Sequence, residues 1–487
     1  MADVASEIRQ ATLGSPYEGR LYVVGGAPRD RVLGLPASQD VDLVLEGDAL
    51  ELARFLHRKG LSDHSPVTYP RFGTARITLS GHVVELASAR AESYDPSSRK
   101  PSVARATLRE DVLRRDFTIN TLLENLHTGE VLDLTGQAMA DLRQGIIRTP
   151  MDPQATFFDD PLRMLRAVRF AVRFGFRIEE RTWRAIQEHA GRLSLVGPGQ
   201  PVVSAERIRD EFLKMMLADG RMPPGREPPR ELGPPSPGQT AAGRAVAWAL
   251  QMLRDSGLLA QFAPELLEMV GVEQGSWHRL DVWEHTLEAL RFLREDAPLE
   301  LRLGLLLHDV GKPRTRTVDE RGVHFYDHAK VGAEIAGEIL HRLRLTNDQI
   351  RRTCALVAGH MRPGEFRPEW TDASIRRLVR QAGENLDLLL ELARCDIAAM
   401  APDAPTADLA ILRARIDEVN RKADAAALRS PLDGQEIMAL LGIRAGPRIR
   451  EAKEHLLDEV IEGRLEPGDK EGARRALLDW WQERQAS

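Results

Sequence analysis

Cysteine is nearly missing from this chain: Cys354 and Cys395 are the only two among 487 residues. That excludes a disulfide framework and a cysteine-based zinc site, and it fits a reducing cytoplasm. Aromatic residues are thin, at 5%, so the cores are expected to be built from Leu, Ala, Val and Ile. No apolar run approaches the roughly 18 residues that a membrane span requires, and Met1 to Arg20 shows no basic-then-apolar signal pattern. There is no excess of basic charge either. With a net charge of −6 and a pI near 6.2, any nucleic-acid contact must come from a local patch. What is present is 43% hydrophobic and 29% charged residues, enough for a packed protein. At about 150 residues per domain, the length suggests roughly three domains.

The periodicity changes along the chain. Leu21-Tyr22-Val23-Val24 reads as a short strand stopped by Gly25-Gly26. Val41, Leu43 and Leu45 alternate with Asp40, Asp42 and Val44, and Arg76 to Glu85 alternates around a Ser80-Gly81 turn. From Pro161 to Leu217 the pattern is helical. Residues 221–240 then hold seven prolines, too many for a helix or a ladder strand, and read as an exposed loop or linker. Beyond them, 241–487 is Leu/Ala-rich and almost entirely helical in pattern.

Asp40 and Asp42 stand two apart on a strand, so both carboxylates emerge on one face, while Val41 and Leu43 turn to a core. Two carboxylates on one rigid strand can hold Mg²⁺ against a triphosphate. Upstream, Gly25-Gly26-Ala27-Pro28-Arg29-Asp30 joins a strand to a helix, and glycine lets backbone N–H groups approach phosphate oxygens. Singly these signals are weak. In this order, with Leu33-Gly34 between them, they resemble the signature of polymerase-β-type nucleotidyltransferases. The closer likeness is to the class II tRNA nucleotidyltransferase and bacterial poly(A) polymerase family. Pro28 departs from the apolar residue common there.

The resemblance continues through Arg114-Arg115-Asp116-Phe117-Thr118-Ile119-Asn120, which is similar to the family's second motif, and implies ribose and triphosphate contacts for Arg115, Asp116 and Asn120. Asp133-Leu134-Thr135-Gly136 resembles the hinge motif. Asp159-Asp160-Pro161-Leu162-Arg163 resembles the nucleotide-selecting motif, with Asp159 in place of the usual Glu, and Glu206-Arg207-Ile208 resembles the last one. Cytosine and adenine both offer an amino donor beside a ring-nitrogen acceptor, which a carboxylate such as Asp160 and a guanidinium such as Arg163 complement. Uracil and guanine put a carbonyl where the amino group would be and leave buried groups unpaired. Asp160 and Arg163, three apart, are expected on one helical face. An arginine stripe (Arg163, Arg166, Arg169, Arg173, Arg177) suits triphosphate and RNA backbone. Glu85, at the end of His82-Val83-Val84-Glu85, is the candidate third carboxylate.

A second constellation lies in the helical half. His308-Asp309 closes the apolar run Leu303–Leu307 and precedes Val310-Gly311-Lys312, with His285 upstream and His328, His360 and Asp396 downstream. Imidazoles and carboxylates gathered on helices suit a divalent metal that generates hydroxide for phosphate-ester hydrolysis. His285, His308-Asp309 and Asp396 resemble the ligand set of the HD metal-phosphohydrolase superfamily. His328 and His360 stand open between extra ligands, substrate contacts and ordinary, partly exposed histidines.

The expected fold is therefore an α+β nucleotidyltransferase head with a small mixed sheet (1–150), followed by an all-α neck (151–220), the Pro-rich segment (221–240), an all-α HD region (241–400) and a helical tail (401–487). The resemblance implies a cytoplasmic, template-independent tRNA nucleotidyltransferase. It would add all or part of the 3′-terminal CCA from CTP and/or ATP with Mg²⁺, without membrane association. The HD site would hydrolyse phosphate or 2′,3′-cyclic phosphate ends with a divalent metal of unidentified kind. The segment Ala87–Pro96 resembles that of A-adding members. The alternatives are a poly(A) polymerase, or an HD phosphohydrolase whose head is a regulatory nucleotide-binding module.

Overall fold

The computed structural model describes residues 2–36, 41–93, 102–197, 200–275, 279–320, 322–404, 406–422, 430–466 and 468–486. The head is a seven-stranded sheet, in spatial order Val67–Tyr69, Thr74–Leu79, His82–Ser88, Val41–Leu45, Leu21–Val23, Leu123–Asn125 and Val131–Leu132. All its pairs are antiparallel except the central one, where Val41–Leu45 runs parallel to His82–Ser88 and Asp42 stands beside Glu85. The alternation read from the sequence sorts this strand correctly. Val41, Leu43 and Leu45 enter a core with Leu52 and Leu56 of the helix Ala49–Arg58, whereas Val44 packs with Val112 and Leu123. Asp48 caps that helix by accepting from the Leu50 and Glu51 N–H groups.

The neck is built from the helices Pro153–Asp159, Leu162–Phe174, Glu180–His189 and Ala205–Met216, and departs from the expected all-α form by the two-residue strands Arg177–Ile178, Val196–Gly197 and Gln200–Pro201 set between them. One hydrophobic core runs unbroken from Leu165, Val168 and Phe212 of the neck through Leu250, Trp283 and Leu306 to Leu392 and Leu412. Among the described residues, the helical expectation for the second half holds with one exception. Arg316–Asp319 and Gly322–Phe325 pair as an antiparallel hairpin, in which Val318, Val323 and Phe325 supply β-branched and aromatic side chains. Three tail helices, Gly434–Leu441, Pro447–Ile461 and Lys470–Ala486, close over a separate small core of Ile437, Leu456 and Leu477. No helix among the described residues is long and apolar enough to cross a membrane.

The Pro-rich segment contains one 3₁₀ turn, Arg230–Leu232. Its ends meet: a Cβ placed on Gly220 would lie 2.1 Å from the Ala241 carbonyl oxygen. Residues 221–240 therefore form a closed excursion from the neck.

Candidate active sites

A cleft of about 660 Å³ lies between head and neck. Its head wall carries Gly25, Gly26, Asp42, Arg115, Asp116 and Asn120, and its neck wall carries Asp160, Arg163, Arg166, Arg169, Arg173 and Arg207. Gly25 has φ +75°, and a Cβ there would meet the Asp42 carboxylate at 3.4 Å, so glycine brings the backbone against that carboxylate. Asp40 lies outside the described residues. Glu85 is Asp42's neighbour in register but is exposed, ion-paired with Arg76 at 2.6 Å, and off the cleft lining.

The two head motifs join through a buried polar network. Arg29, 4% exposed, donates to Asp30 at 2.7 Å and to the Asn120 side-chain oxygen, and its guanidinium lies 4.7 Å from the Phe174 ring centroid of the neck. Burial lowers the Arg29 pKa against the opposing pull of Asp30. Asp30 is equally buried and sits beneath the cleft lining. Asp116 accepts from Asn120 at 2.9 Å and from Arg166 at 2.5 and 2.8 Å. Burial pushes its pKa up, but the Arg166 charge and these hydrogen bonds overcome that and hold it at about 2.

The arginine stripe differs from its expected form. Arg166 pairs with Asp116, Arg169 with Glu211, and Arg173 reaches Asp30 at 3.7 Å, so acids from other elements balance it. Arg177 leaves the stripe: left-handed Gly175 ends the helix Leu162–Phe174 and turns Arg177 into a short strand away from the cleft. Asp160 and Arg163 do not share a helical face. Pro161 holds the residue before it extended (Asp160 φ −138°, ψ 96°), ahead of the helix. From there the Asp160 carboxylate accepts from the Leu162 N–H at 3.2 Å and from Arg207 at 3.1 Å, while Arg163 donates to the Arg114 carbonyl at 2.8 Å. Asp159 is exposed and off the lining, and Arg115 pairs with Asp111 at 2.9 Å. The sequence marks Arg207 only as part of a motif; nothing in its spacing announces a partner 47 residues away.

The second site gathers six side chains from five helical elements. His285 Nε2 lies 2.8 Å from Asp396 Oδ1, and His308 Nε2 lies 3.2 Å from Asp309 and 3.6 Å from Asp396. His328 and His360, open in the sequence reading, are 8% and 2% exposed, with Nε2 atoms 3.3 Å apart and 3.6 and 3.7 Å from Asp309 Oδ1. His308, His328 and His360 each turn Nδ1 toward a carbonyl, of Leu305, Phe325 and Val357, at 2.7–2.8 Å. A carbonyl only accepts, so Nδ1 bears the hydrogen in each ring; in His328 and His360, whose pKa values burial lowers, the neutral Nε2 aims a lone pair inward. Two lone pairs facing each other at hydrogen-bond distance call for a cation between them and the carboxylate. The ligand atoms form two overlapping groups, His285–His308–Asp309 and Asp309–His328–His360. His308 Nε2 and both Asp309 oxygens are buried without a well-formed hydrogen bond. These donors fit one or two divalent ions.

Burial alone would lower the His308 pKa, but Asp309 and Asp396 hold it up at about 10. Both carboxylates lie well below their ordinary value against the opposing effect of burial. Lys312 Nζ sits 2.7 Å from Asp309 and donates to Gln274 at 2.6 Å. Gly311 is required for close packing, since a Cβ would lie 2.2 Å from the His328 carbonyl oxygen. The site opens into a pocket of about 530 Å³ flanked by the hairpin.

Comparison with known proteins agrees with this geometry. Residues 21–148 match the Poly A polymerase head domain, 175–220 a probable RNA and SrmB-binding site of polymerase A, and 278–401 the HD domain. The chain is 34% identical over 468 residues to a CC-adding tRNA nucleotidyltransferase of Thermus thermophilus, covering 94% of this chain and 93% of that one. It is 35% identical over 389 residues to an A-adding tRNA nucleotidyltransferase of Deinococcus radiodurans, covering 77% and 80%. Its fold is similar to that of the Bacillus stearothermophilus CCA-adding enzyme in complex with CTP (TM-score 0.64, 22% identity, 100% and 98% covered). It also resembles the Thermotoga maritima CCA-adding enzyme complexed with tRNA (TM-score 0.55, 20% identity, 99% and 96% covered). With a nucleotide-sized, arginine-lined cleft in front and a buried His/Asp cluster behind, the chain belongs to the class II tRNA nucleotidyltransferases that carry an HD domain.

Proposed function

We propose that this chain adds all or part of the 3′-terminal CCA to tRNA, taking CTP and/or ATP and releasing pyrophosphate, in the cytoplasm where its tRNA is found. The observation that carries the reading is the two-ended cleft. Asp42 and the glycine turn stand on the head wall, and Asp160 with Arg163 on the neck wall, with cleft-facing arginines lining it. Asp40 and Asp42 are the residues proposed to hold Mg²⁺, with Glu85 a candidate third carboxylate. The ion would acidify the primer hydroxyl and screen the phosphates when bound. Arg29, Arg115, Asn120 and Arg166 position the triphosphate and ribose, with Asp30 and Asp116 holding those arginines and the amide in place. Asp160 accepts from the base amino group and Arg163 donates to the ring nitrogen, so protein groups replace a template strand. Asp159, one residue before Asp160, is proposed to support this reading pair.

For the second site we propose hydrolysis of phosphate or 2′,3′-cyclic phosphate ends, with one metal at His285, His308, Asp309 and Asp396. A second metal at Asp309, His328 and His360 is supported by the facing lone pairs.

The test is incorporation of labelled CTP and ATP, separately and together, into tRNA lacking three, two or one terminal nucleotides. Addition of A only to tRNA ending in CC assigns the A-adding subtype that the Ala87–Pro96 segment resembles, of which residues 94–96 lie outside the described residues. Addition of C only assigns a CC-adding enzyme, and completion of all three a full CCA-adding one. Equal extension of unstructured RNA would mark a poly(A) polymerase. No incorporation into any primer would overturn the transferase reading.

A further inference from the structure

The segment 221–240 is far longer than its task as a connection requires. Gly220 abuts Ala241 and Ala242, so twenty residues leave the neck and return to nearly the same point. What they reach is specific. The sulfur of Met222 occupies the place of the missing Cβ of Gly175, at 2.3 Å from where that atom would be. The Arg226 guanidinium fills the corresponding notch at Gly145, 2.2 Å from the Cβ position, lies 4.5 Å from the Phe176 ring centroid, and donates to the Leu142 and Arg143 carbonyls at 3.0 and 3.2 Å. Pro224 lies against Gly34, just past the helix Gly26–Val32. The far end is tied by Arg244, which donates to the Leu232 carbonyl at 2.8 Å and to that of Gly233.

All three glycines have φ between +65° and +70°; Gly34 and Gly175 follow or end elements that line the cleft, and Gly145 ends a helix packed against the Thr118–Asn120 turn that carries Asn120. Gly34 follows the helix that carries Arg29. Gly145 ends the helix Ala138–Gln144 at the base of the head. Gly175 ends the neck helix that carries Arg163, Arg166 and Arg169. Immediately beyond Gly145 and Gly175, Ile146–Ile147 and Arg177–Ile178 pair in parallel and form the joint between head and neck. The segment thus grips both walls of the cleft from behind.

We propose that residues 221–240 are a strap that sets the angle between head and neck, and that Arg226 is a positioning residue for nucleotide selection. It touches no substrate. By fastening the C-terminus of the Ala138–Gln144 helix to the end of the arginine helix, it fixes the distance between the phosphate-binding wall and the base-reading pair Asp160–Arg163. A base bound at the wrong distance loses its hydrogen bonds while the phosphates stay seated. The inference rests on the nucleotidyl-transfer reading of the cleft.

The experiment compares the parent, Arg226→Ala, Arg226→Lys and a chain in which residues 222–239 are replaced by a short Gly-Ser bridge, which the meeting of the segment's ends permits. On the preferred tRNA primer, Arg226→Ala and the bridged chain are expected to raise KM for the incoming nucleotide about tenfold. The preference for that nucleotide over UTP and GTP should fall, with KM for tRNA and kcat at saturating nucleotide within about twofold of the parent. Arg226→Lys, which keeps a donor for the two carbonyls, should recover most of the selectivity. Selectivity and nucleotide KM unchanged in Arg226→Ala and in the bridged chain would overturn the strap. So would a fall in kcat and melting temperature with KM unchanged, which is the signature of a purely structural contact. A parent that incorporates nothing would overturn the reading of the cleft, and the proposal with it.

Discussion

Buried at the back of the cleft, Asp116 accepts from Asn120, from Arg166 and from the Phe117 N–H. Because its folded pKa is depressed to about 2, its contribution is complete above the ordinary carboxylate pKa and lost as pH falls through the folded value. A shift of this size corresponds to about 2 kcal/mol, of which roughly half is gone by pH 3. The melting-temperature gap between the parent and Asp116→Asn should therefore narrow from pH 7 to pH 3 by the equivalent of about 1 kcal/mol. Asp42 makes a different prediction. Its carboxylate is proposed for chemistry rather than packing, so Asp42→Ala should cut incorporation by about a thousandfold, roughly 4 kcal/mol of barrier. The melting temperature should stay within a degree or two. Surviving incorporation would remove Asp42 from the mechanism. Both residues stand out in the sequence because their motifs are local. The Arg207 partner of Asp160 does not, because it comes from a helix 47 residues on.

At the scale of elements, strands and helices followed their hydrophobic periods, and the surprises came where the chain turns. Pro161 removes Asp160 from the helix, and Gly175 removes Arg177 from the stripe. Gly145 allows a direct test. An alanine there pays a left-handed backbone penalty of about 1–2 kcal/mol and meets Arg226 as well. Thermal denaturation of Gly145→Ala, Arg226→Ala and the double variant should show a favourable coupling, since removing Arg226 relieves the second part of the cost but not the first. Strict additivity would mean that the notch is not filled in solution. The hairpin Arg316–Phe325 was missed because it is short and set within a long helical pattern, where two four-residue strands leave little periodic signal.

At the scale of the whole molecule, the head's sheet and the last three helices have cores of their own, while neck and HD region share one that also takes in Phe117, Ile119 and Leu142 from the base of the head. Calorimetry should therefore resolve a transition of the neck and HD region that rises when a divalent ion such as Mn²⁺ is added. At a hundredfold excess over Kd the gain is about 3 kcal/mol. Replacing His308 and Asp309 by alanine should abolish that response and any p-nitrophenyl phosphate hydrolysis, while incorporation into tRNA persists. Loss of incorporation as well would show that the shared core couples the two sites.

The sequence by itself determined the fold class, the order of the parts and most of the candidate residues. The signals for these are short in range: an alternating strand with carboxylates on one face, a glycine turn, a His-Asp pair at the end of an apolar helix. Only the tertiary structure decided that His328 and His360 face Asp309, that Asp160 answers to Arg207, and that the prolines fold back onto three glycines. Each of these joins residues far apart in the chain across elements whose relative placement comes from core packing, and packing leaves no periodic mark on the residues it brings together.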